Sequence, residues 1–419
     1  MTQPLDRPPR KSPELRTRVP MRPPEPRSRA SMGLTAAAAE GRLALQCCAD
    51  CGTWQYPPRD ACAACLSEDL PFTDLDGAGT LLAETTVRVS SRPYFRERLP
   101  WRMGSVQLEA GPVVLAHLHP DVPEAGARVR LTVKLDRAGQ GVMLALPQDD
   151  TPNMEDAEIM RALTSDPKHR RILISDARAP VALPLSRALL AAGAAEVRAG
   201  LAEDWLPFEG RAALEAAGVQ IVPLDVTDTA SVQRLAAQVG GKVDILVNTA
   251  QLVRAGGPLA RGDVHVAQRE MEVNYFGLMR LAQAFGPGMC GRTADGVNSA
   301  VAFVQLLHVG AVANHPDFGA FSASQAAARS LAHALRAEFR GAGLRVMTVI
   351  AGPTESEWFE PLPPPKVSPN ALARDIVRGL QGGVEDVWSG DIARDIQDRL
   401  RRDPKVLERE LTMGGEDAP

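Results

Sequence analysis

Nowhere in the 419 residues does an apolar run approach the ~20 residues a membrane-crossing helix needs. The opening stretch, MTQPLDRPPRKSPELRTRVPMRPPEPRSRA, lacks the apolar core of a secretory signal. Charge of one sign is scarce as well. With 47 Lys and Arg against 51 Asp and Glu, the net charge of -4 gives the whole chain no attraction for a polyanion. Cysteine is sparse too: there are six, and five of them lie between Cys47 and Cys65, so no disulfide framework spans the chain. These absences predict a cytoplasmic protein that crosses no membrane. What is present, 45% hydrophobic and 23% charged residues, describes a globular chain long enough for two or three domains.

Residues 1–31 mix arginine and proline with little to bury, which predicts a disordered leader; a basic docking arm is the alternative. The cysteines follow. "CCADCGTWQYPPRDACAAC" holds two CxxC pairs, Cys48/Cys51 and Cys62/Cys65, ten residues apart. Each pair can turn two thiolates toward one point, and Zn²⁺ takes four in a tetrahedron. Gly52 supplies the tight turn, and Cys47 is the spare thiol. Four protein ligands leave no open position, so the zinc is expected to be structural and to supply folding energy to a ribbon over residues 32–72, with a short leading helix.

From residue 73 to 148 the pattern turns to β. "GTLLAETTVRV", "GSVQLEAGPVVLAHLHPD", "ARVRLTVKL" and "GVMLALP" are apolar or alternating runs between Gly, Pro and Asp turns, which fits a small closed barrel such as an OB-fold. The two CxxC pairs, the Tyr56-Pro57-Pro58-Arg59 run and the barrel resemble the zinc-ribbon/OB-fold family associated with acyl-CoA enzymes, over roughly residues 33–148. That resemblance implies an accessory protein that binds acyl-CoA or stabilises a thiolase-like or hydratase-like partner. The basic-aromatic stretch "SSRPYFRERLPWR", with Tyr94, Phe95 and Trp101, suits a CoA phosphate and adenine. It would equally suit a nucleic-acid single strand, or simply pack on its own barrel. Mixed charge and few aromatics place nucleic acid last among these.

An acidic, proline-punctuated linker over 149–168 carries a short helix from about Met154 to Leu163. Beyond it, strands alternate with helices: "RILISDA", "VQIVPLDV", "VDILVNTA", "SAVAFVQLLHV" and "LRVMTVIAG" are the strands. This alternation predicts an α/β fold, a Rossmann-like doubly wound parallel sheet over residues 169–395, then a charged tail over 396–419. Here the chain resembles the short-chain dehydrogenase/reductase family. "LDV" with Asp225, "NTA" with Asn248, "VNYFG" with Asn274, the helix "FSASQAAARSLAHALRAEF" and the loop "IAGPTESEW" stand in the family's order. The family is commonly oligomeric, which implies a homo-oligomer by analogy.

The family's reaction groups are not where the resemblance puts them. Asp176, Pro180 and Ala182 occupy the three glycine positions of the nucleotide loop, which argues against ordinary NAD(P) binding. Phe321, Gln325 and His308 occupy the places of the general-acid Tyr, its Lys and the carbonyl-binding Ser. Phenylalanine has no proton to give and glutamine no charge to tune one. Only three tyrosines exist, Tyr56, Tyr94 and Tyr275, and no lysine lies between Lys242 and Lys366. His308 is then the one candidate acid left, with a hydrogen-bonded structural role as the alternative. The expectation is a non-catalytic acyl-CoA-binding or scaffold subunit. An NAD(P)-dependent oxidoreductase of a CoA-linked substrate is the alternative. In the loop after the sixth strand, Trp358, Phe359 and the prolines that follow offer either a stiff docking segment or a cover over an empty pocket.

Overall fold

The computed structural model describes residues 1–8, 22–23, 28–203, 205–294 and 299–413. The chain divides into two compact units, one built on the stretch through Asp166 and one from Pro167 onward.

In the first unit, helix α1 (Met32–Ala39) precedes a three-stranded antiparallel ribbon of β1 (Ala44–Cys47), β2 (Trp54–Gln55) and β3 (Phe72–Asp74), ordered β2-β1-β3. Five further strands close a barrel in the order β4-β5-β6-β8-β7: β4 (Ala78–Val87), β5 (Trp101–Leu108), β6 (Val113–Leu118), β7 (Arg128–Leu135) and β8 (Gly141–Pro147). The alternation in "ARVRLTVKL" works as its spacing predicts. Val129, Leu131, Val133 and Leu135 are buried, with charged or polar residues between them. Every residue of β8 is buried, because its outer face is covered by Met154, Ala157, Met160 and Leu163. Those four residues carry the short helices after the barrel. Leading residue Pro93 starts α2 (Pro93–Arg96), and the segment after β8 forms a 3₁₀ turn (Met154–Asp156) and then α3 (Glu158–Leu163). The expected single helix breaks at Ala157, whose ψ of 139° is extended. The expected linker is thus a packed part of this unit rather than a spacer.

The start of the leader is not free either: the Thr2 hydroxyl donates to Asp121 at 3.0 Å and the Leu5 N–H to Asp156 at 3.0 Å. Most of the rest of the expected disordered leader, residues 9–21 and 24–27, lies outside the described residues.

The second unit is a seven-stranded parallel sheet ordered β11-β10-β9-β12-β13-β14-β15. Its strands are β9 (Arg171–Ile174), β10 (Glu196–Leu201), β11 (Gln220–Pro223), β12 (Ile245–Asn248), β13 (Ala302–His308), β14 (Arg345–Ala351) and β15 (Asp386–Ser389). The order reverses between β9 and β12, which opens the crevice where such sheets hold ligands. Helices flank the sheet: α4 (Ala182–Ala191), α5 (Gly210–Ala216), α6 (Thr229–Val239), α7 (His265–Met271), α8 (Gly277–Cys290), α9 (Gly319–Arg340) and α10 (Pro369–Gly382). The Asp228 carboxylate caps α6 by accepting from the N–H groups of Ala230 and Ser231. Between α7 and α8 lies one π-helical turn, Glu272–Phe276.

Two strands escaped the sequence pattern, β10 and β15. The expected tail is also part of the fold: α11 (Asp391–Arg402) and α12 (Pro404–Met413) bury Ala393, Ile396 and Leu407 in the core.

A buried ion cluster ties the N-terminal ends of the central strands β9 and β12. The Asp244 carboxylate, 1% exposed, accepts from the Arg171 main-chain N–H (2.9 Å), Nε (2.9 Å) and Nη2 (2.8 Å), and from Arg292 Nη1 (2.9 Å). A buried carboxylate is tolerable only when saturated in this way.

Candidate functional site

The ribbon brings Cys48, Cys51, Cys62 and Cys65 together, all four sulfurs within 4.8 Å of one another. Cys48 and Cys65 lie 3.5 Å apart and Cys51 and Cys62 3.6 Å apart. Four sulfurs at ~2.3 Å from one Zn²⁺ would be about 3.8 Å apart in a tetrahedron, so the set fits that ion. Both knuckles are shaped by main-chain bonds, Gly52 N–H to Cys48 C=O at 2.9 Å and Leu66 N–H to Cys62 C=O at 3.1 Å. Gly52 (φ 70°) and Leu66 (φ 65°) turn left-handed there. Hydrogen bonds with Thr53, through its side chain first and its backbone second, draw the Cys51 thiol down to about 6, toward the thiolate a metal needs. Cys47 stands apart, its sulfur 3.7 Å from the Gly52 carbonyl.

The basic-aromatic loop packs against the outward-facing side of β5 and β6. Tyr94 is buried, with Arg98 over its ring at 4.0 Å, whereas Phe95 and Trp101 stay partly exposed. Trp101 Nε1–H donates to His117 Nδ1 at 2.7 Å, which fixes the indole upright. Clefts of about 310 Å³ and 320 Å³ open on its two sides, one rimmed by Arg98 and Arg102 and the other lined by Phe95, Met103 and Leu115. Arg92 and Arg96, in the same loop, are exposed. The sequence had left open whether these aromatics simply pack inward; only Tyr94 does so fully.

In the second unit the nucleotide loop runs from β9 to α4. Ser175 Oγ donates to Asn248 Oδ1 (2.6 Å) and accepts from the N–H groups of Thr249 (2.9 Å) and Ala250 (3.1 Å). Asn248 Nδ2 donates to Gln305 at 2.8 Å, so the asparagine serves a buried structural network. Asp176 accepts the Arg178 N–H at 2.9 Å, and burial pushes its carboxyl above the usual range against the pull of that bond. Ala182 is wholly buried, and Pro180 contributes no N–H. Asp225 turns its carboxylate back on Thr227, accepting from its N–H (2.8 Å) and hydroxyl (2.7 Å).

At the opposite side of the crevice stand Asn274, His308, Phe321 and Gln325. The π-helical turn carries Asn274, which accepts from Leu252 N–H (2.8 Å) and donates to Leu252 C=O (3.0 Å) and Ser324 Oγ (2.8 Å). Gln325, 1% exposed, accepts the main-chain N–H of His308 at 2.9 Å. Phe321 is wholly buried in a cluster with Val253, Phe318 and Phe359. His308 accepts the Gly310 N–H at Nδ1 (3.0 Å), which leaves the proton of a neutral ring on Nε2, and among the described residues the buried Nε2 has no hydrogen-bond partner. Burial, with a smaller contribution from His315, draws the ring down to about 3. Such an imidazole stays neutral near pH 7.

Of the two readings the sequence offered for Phe359, docking segment or cover, the structure has the cover, and the ring fills the space beneath it. Phe359 descends from the loop after β14, a strap whose Thr354 bridges Val367, and stacks on His308. That loop covers the reaction centre with a ring, and Phe359, 2% exposed, is no docking surface.

Known proteins match in three places. Residues 35–71 match the ChsH2 rubredoxin-like zinc ribbon, 72–134 the ChsH2 C-terminal OB-fold domain, and 180–389 the family described as enoyl-(acyl carrier protein) reductase. The barrel continues through β8, past the end of the OB match. A short-chain dehydrogenase, virD, of Hypocrea virens is 30% identical over 208 residues, 49% of this chain and 64% of that protein. A fatty acyl-CoA reductase of Acinetobacter baylyi is 29% identical over 177 residues, 41% of this chain and 58% of that protein. The matches thus span less than two thirds of the length of these relatives. A short-chain dehydrogenase from Burkholderia cenocepacia, solved in complex with NADP, is 30% identical with a TM-score of 0.50, covering 58% of this chain and 97% of that one. The chain belongs to the short-chain dehydrogenase/reductase family, as a fusion in which a ChsH2-type zinc ribbon and OB-fold precede an enoyl-reductase-like domain.

Proposed function

We propose that this protein is a non-catalytic subunit of acyl-CoA metabolism, with the ribbon and barrel holding acyl-CoA or a thiolase-like or hydratase-like partner and the reductase domain serving as scaffold. The observation that carries this is the filled reaction centre. Phe321 and Gln325 stand where the family has its acid and its lysine, both are buried, and Phe359 lies on the histidine between them. General acid–base help is worth about 10²–10⁴ in rate, and a neutral, covered imidazole does not replace it. A CoA-linked ligand suits this outer face of the barrel: Trp101 and Phe95 offer faces for an adenine, Arg92 and Arg96 offer charge for phosphates, and the two clefts offer apolar walls.

The alternative is an NAD(P)-dependent oxidoreductase acting on a CoA-linked substrate. It draws support from the NADP-bound Burkholderia relative and the fatty acyl-CoA reductase relative. Affinity capture of the tagged protein from its native host separates the two. A stoichiometric thiolase-like or hydratase-like partner, with no turnover of NAD(P)H and a 3-oxoacyl-CoA, is the expected result. Ordinary enzymatic rates for the protein alone would overturn the scaffold reading.

A further inference from the structure

We infer that the dinucleotide groove of the reductase domain is liganded from within: the Asp176 carboxylate takes the loop N–H that would face a diphosphate, and Arg178 takes the acid that would face a ribose. The inference deepens the scaffold reading and rests on it. A diphosphate binds a β–α loop of this kind through free main-chain N–H groups and close backbone approach. Here the Arg178 N–H is already given to Asp176 Oδ1 at 2.9 Å, and the Ala177 N–H to the Gly200 carbonyl at 2.6 Å. Pro180 has no N–H to offer. An incoming diphosphate would meet an acceptor where it needs donors.

The second handle is taken in the same way. Dinucleotide folds use an acid just beyond the second strand, about 20 residues past the loop, to hold a ribose hydroxyl. Glu203 is the first acid after β10, and its Oε2 lies 3.5 Å from Arg178 Nη1. Arg178 Nη2 also reaches the carbonyls of Glu203 and Leu206, each at 3.4 Å, and the guanidinium lies 5.8 Å from the Phe208 ring centre. One arginine from the loop therefore bridges the groove to the segment after β10. Loop and acid satisfy each other.

The test is NADPH binding by the full-length protein, measured by calorimetry and by thermal shift. The expected result is no binding by the wild type up to about 1 mM, and at least a tenfold gain for Asp176→Gly combined with Pro180→Gly. Arg178→Ala, which leaves the loop backbone alone, is the second variant should the first not fold; its melting temperature is expected to rise on adding NADPH where that of the wild type does not. Micromolar binding by the wild type overturns the inference, even if no turnover follows, and then leaves the non-catalytic reading standing. Folded variants that gain nothing overturn it as well. Turnover by the wild type would instead bring down the scaffold reading.

Discussion

The rings of Phe359 and His308 lie parallel, 4.8 Å between centroids and 8° between planes. Phe321 closes a further side at 5.4 Å from the imidazole. A protonated ring in that enclosure would have neither water nor counter-charge, which is why burial draws its pKa down to about 3.

The pH dependence follows from the direction of that shift. The unfolded chain takes up a proton on this histidine near 6.5, while the folded chain stays neutral until about 3. The unfolded state therefore binds more protons between those values. His308 lowers stability as pH falls from 6.5 toward 3 and has no effect above that window, at up to about 1.4 kcal/mol per pH unit. Melting temperatures measured from pH 4 to 8 should fall less steeply for His308→Gln than for the wild type. Equal slopes would mean that the ring is hydrated.

Phe359→Ala should cost about 3–5 kcal/mol, since it removes a fully covered ring and leaves a void between His308 and Phe321. A urea midpoint shift reads it. A cost below about 1 kcal/mol would show that the strap is not seated.

Asp244→Ala should be comparably severe, at about 3–5 kcal/mol, because Arg171 and Arg292 both lose their carboxylate in a buried setting. The same urea series measures it, and Asp244→Asn should fall between the two.

Metal analysis of the purified protein should find one zinc per chain. Cys51→Ser should lose it, whereas Cys47→Ser should keep it, since the Cys47 sulfur lies outside the cluster. Chelation should then unfold the ribbon, read as new protease cleavage between residues 44 and 74.

Titration of CoA into the protein should quench Trp101 fluorescence. The double variant Arg92→Ala/Arg96→Ala touches only exposed side chains and should raise Kd roughly fivefold at low salt, about 1 kcal/mol, with the gap closing as salt rises. Unchanged affinity would send the search for the ligand elsewhere.

Much of the fold was legible because burial writes itself into sequence. Strands β9, β12, β13 and β14 read as near-continuous apolar runs, broken only by single polar residues such as Gln305 and Thr348, since each is covered on both faces. Strand β15 reads "DVWS" at the sheet edge, short and half-buried, and β10 begins with Glu196 and Arg198 paired to each other; neither leaves a run to see. The packed linker and tail were missed for a related reason, as their few apolar residues sit among many charges. The positions Asn274, His308, Phe321 and Gln325 were marked through the resemblance to the family, whose motifs fix their order along the chain. The seat of Phe359 was not, because its partners lie 38 and 51 positions away in the chain and only the tertiary path of the strap joins them. The link from Arg178 to Glu203 was hidden likewise, since any surface Arg and Glu could form one.

The aromatic cluster also constrains what this lineage can become. A tyrosine at 321 would set its hydroxyl among Val253, Phe318 and Phe359, and a lysine at 325 would bury its charge where a glutamine now holds the His308 backbone. Either change taken singly would lower stability, by placing a polar or charged group where the present packing offers it no partner. The packing around positions 321 and 325 therefore resists each such change on its own, so the present side chains hold one another in place.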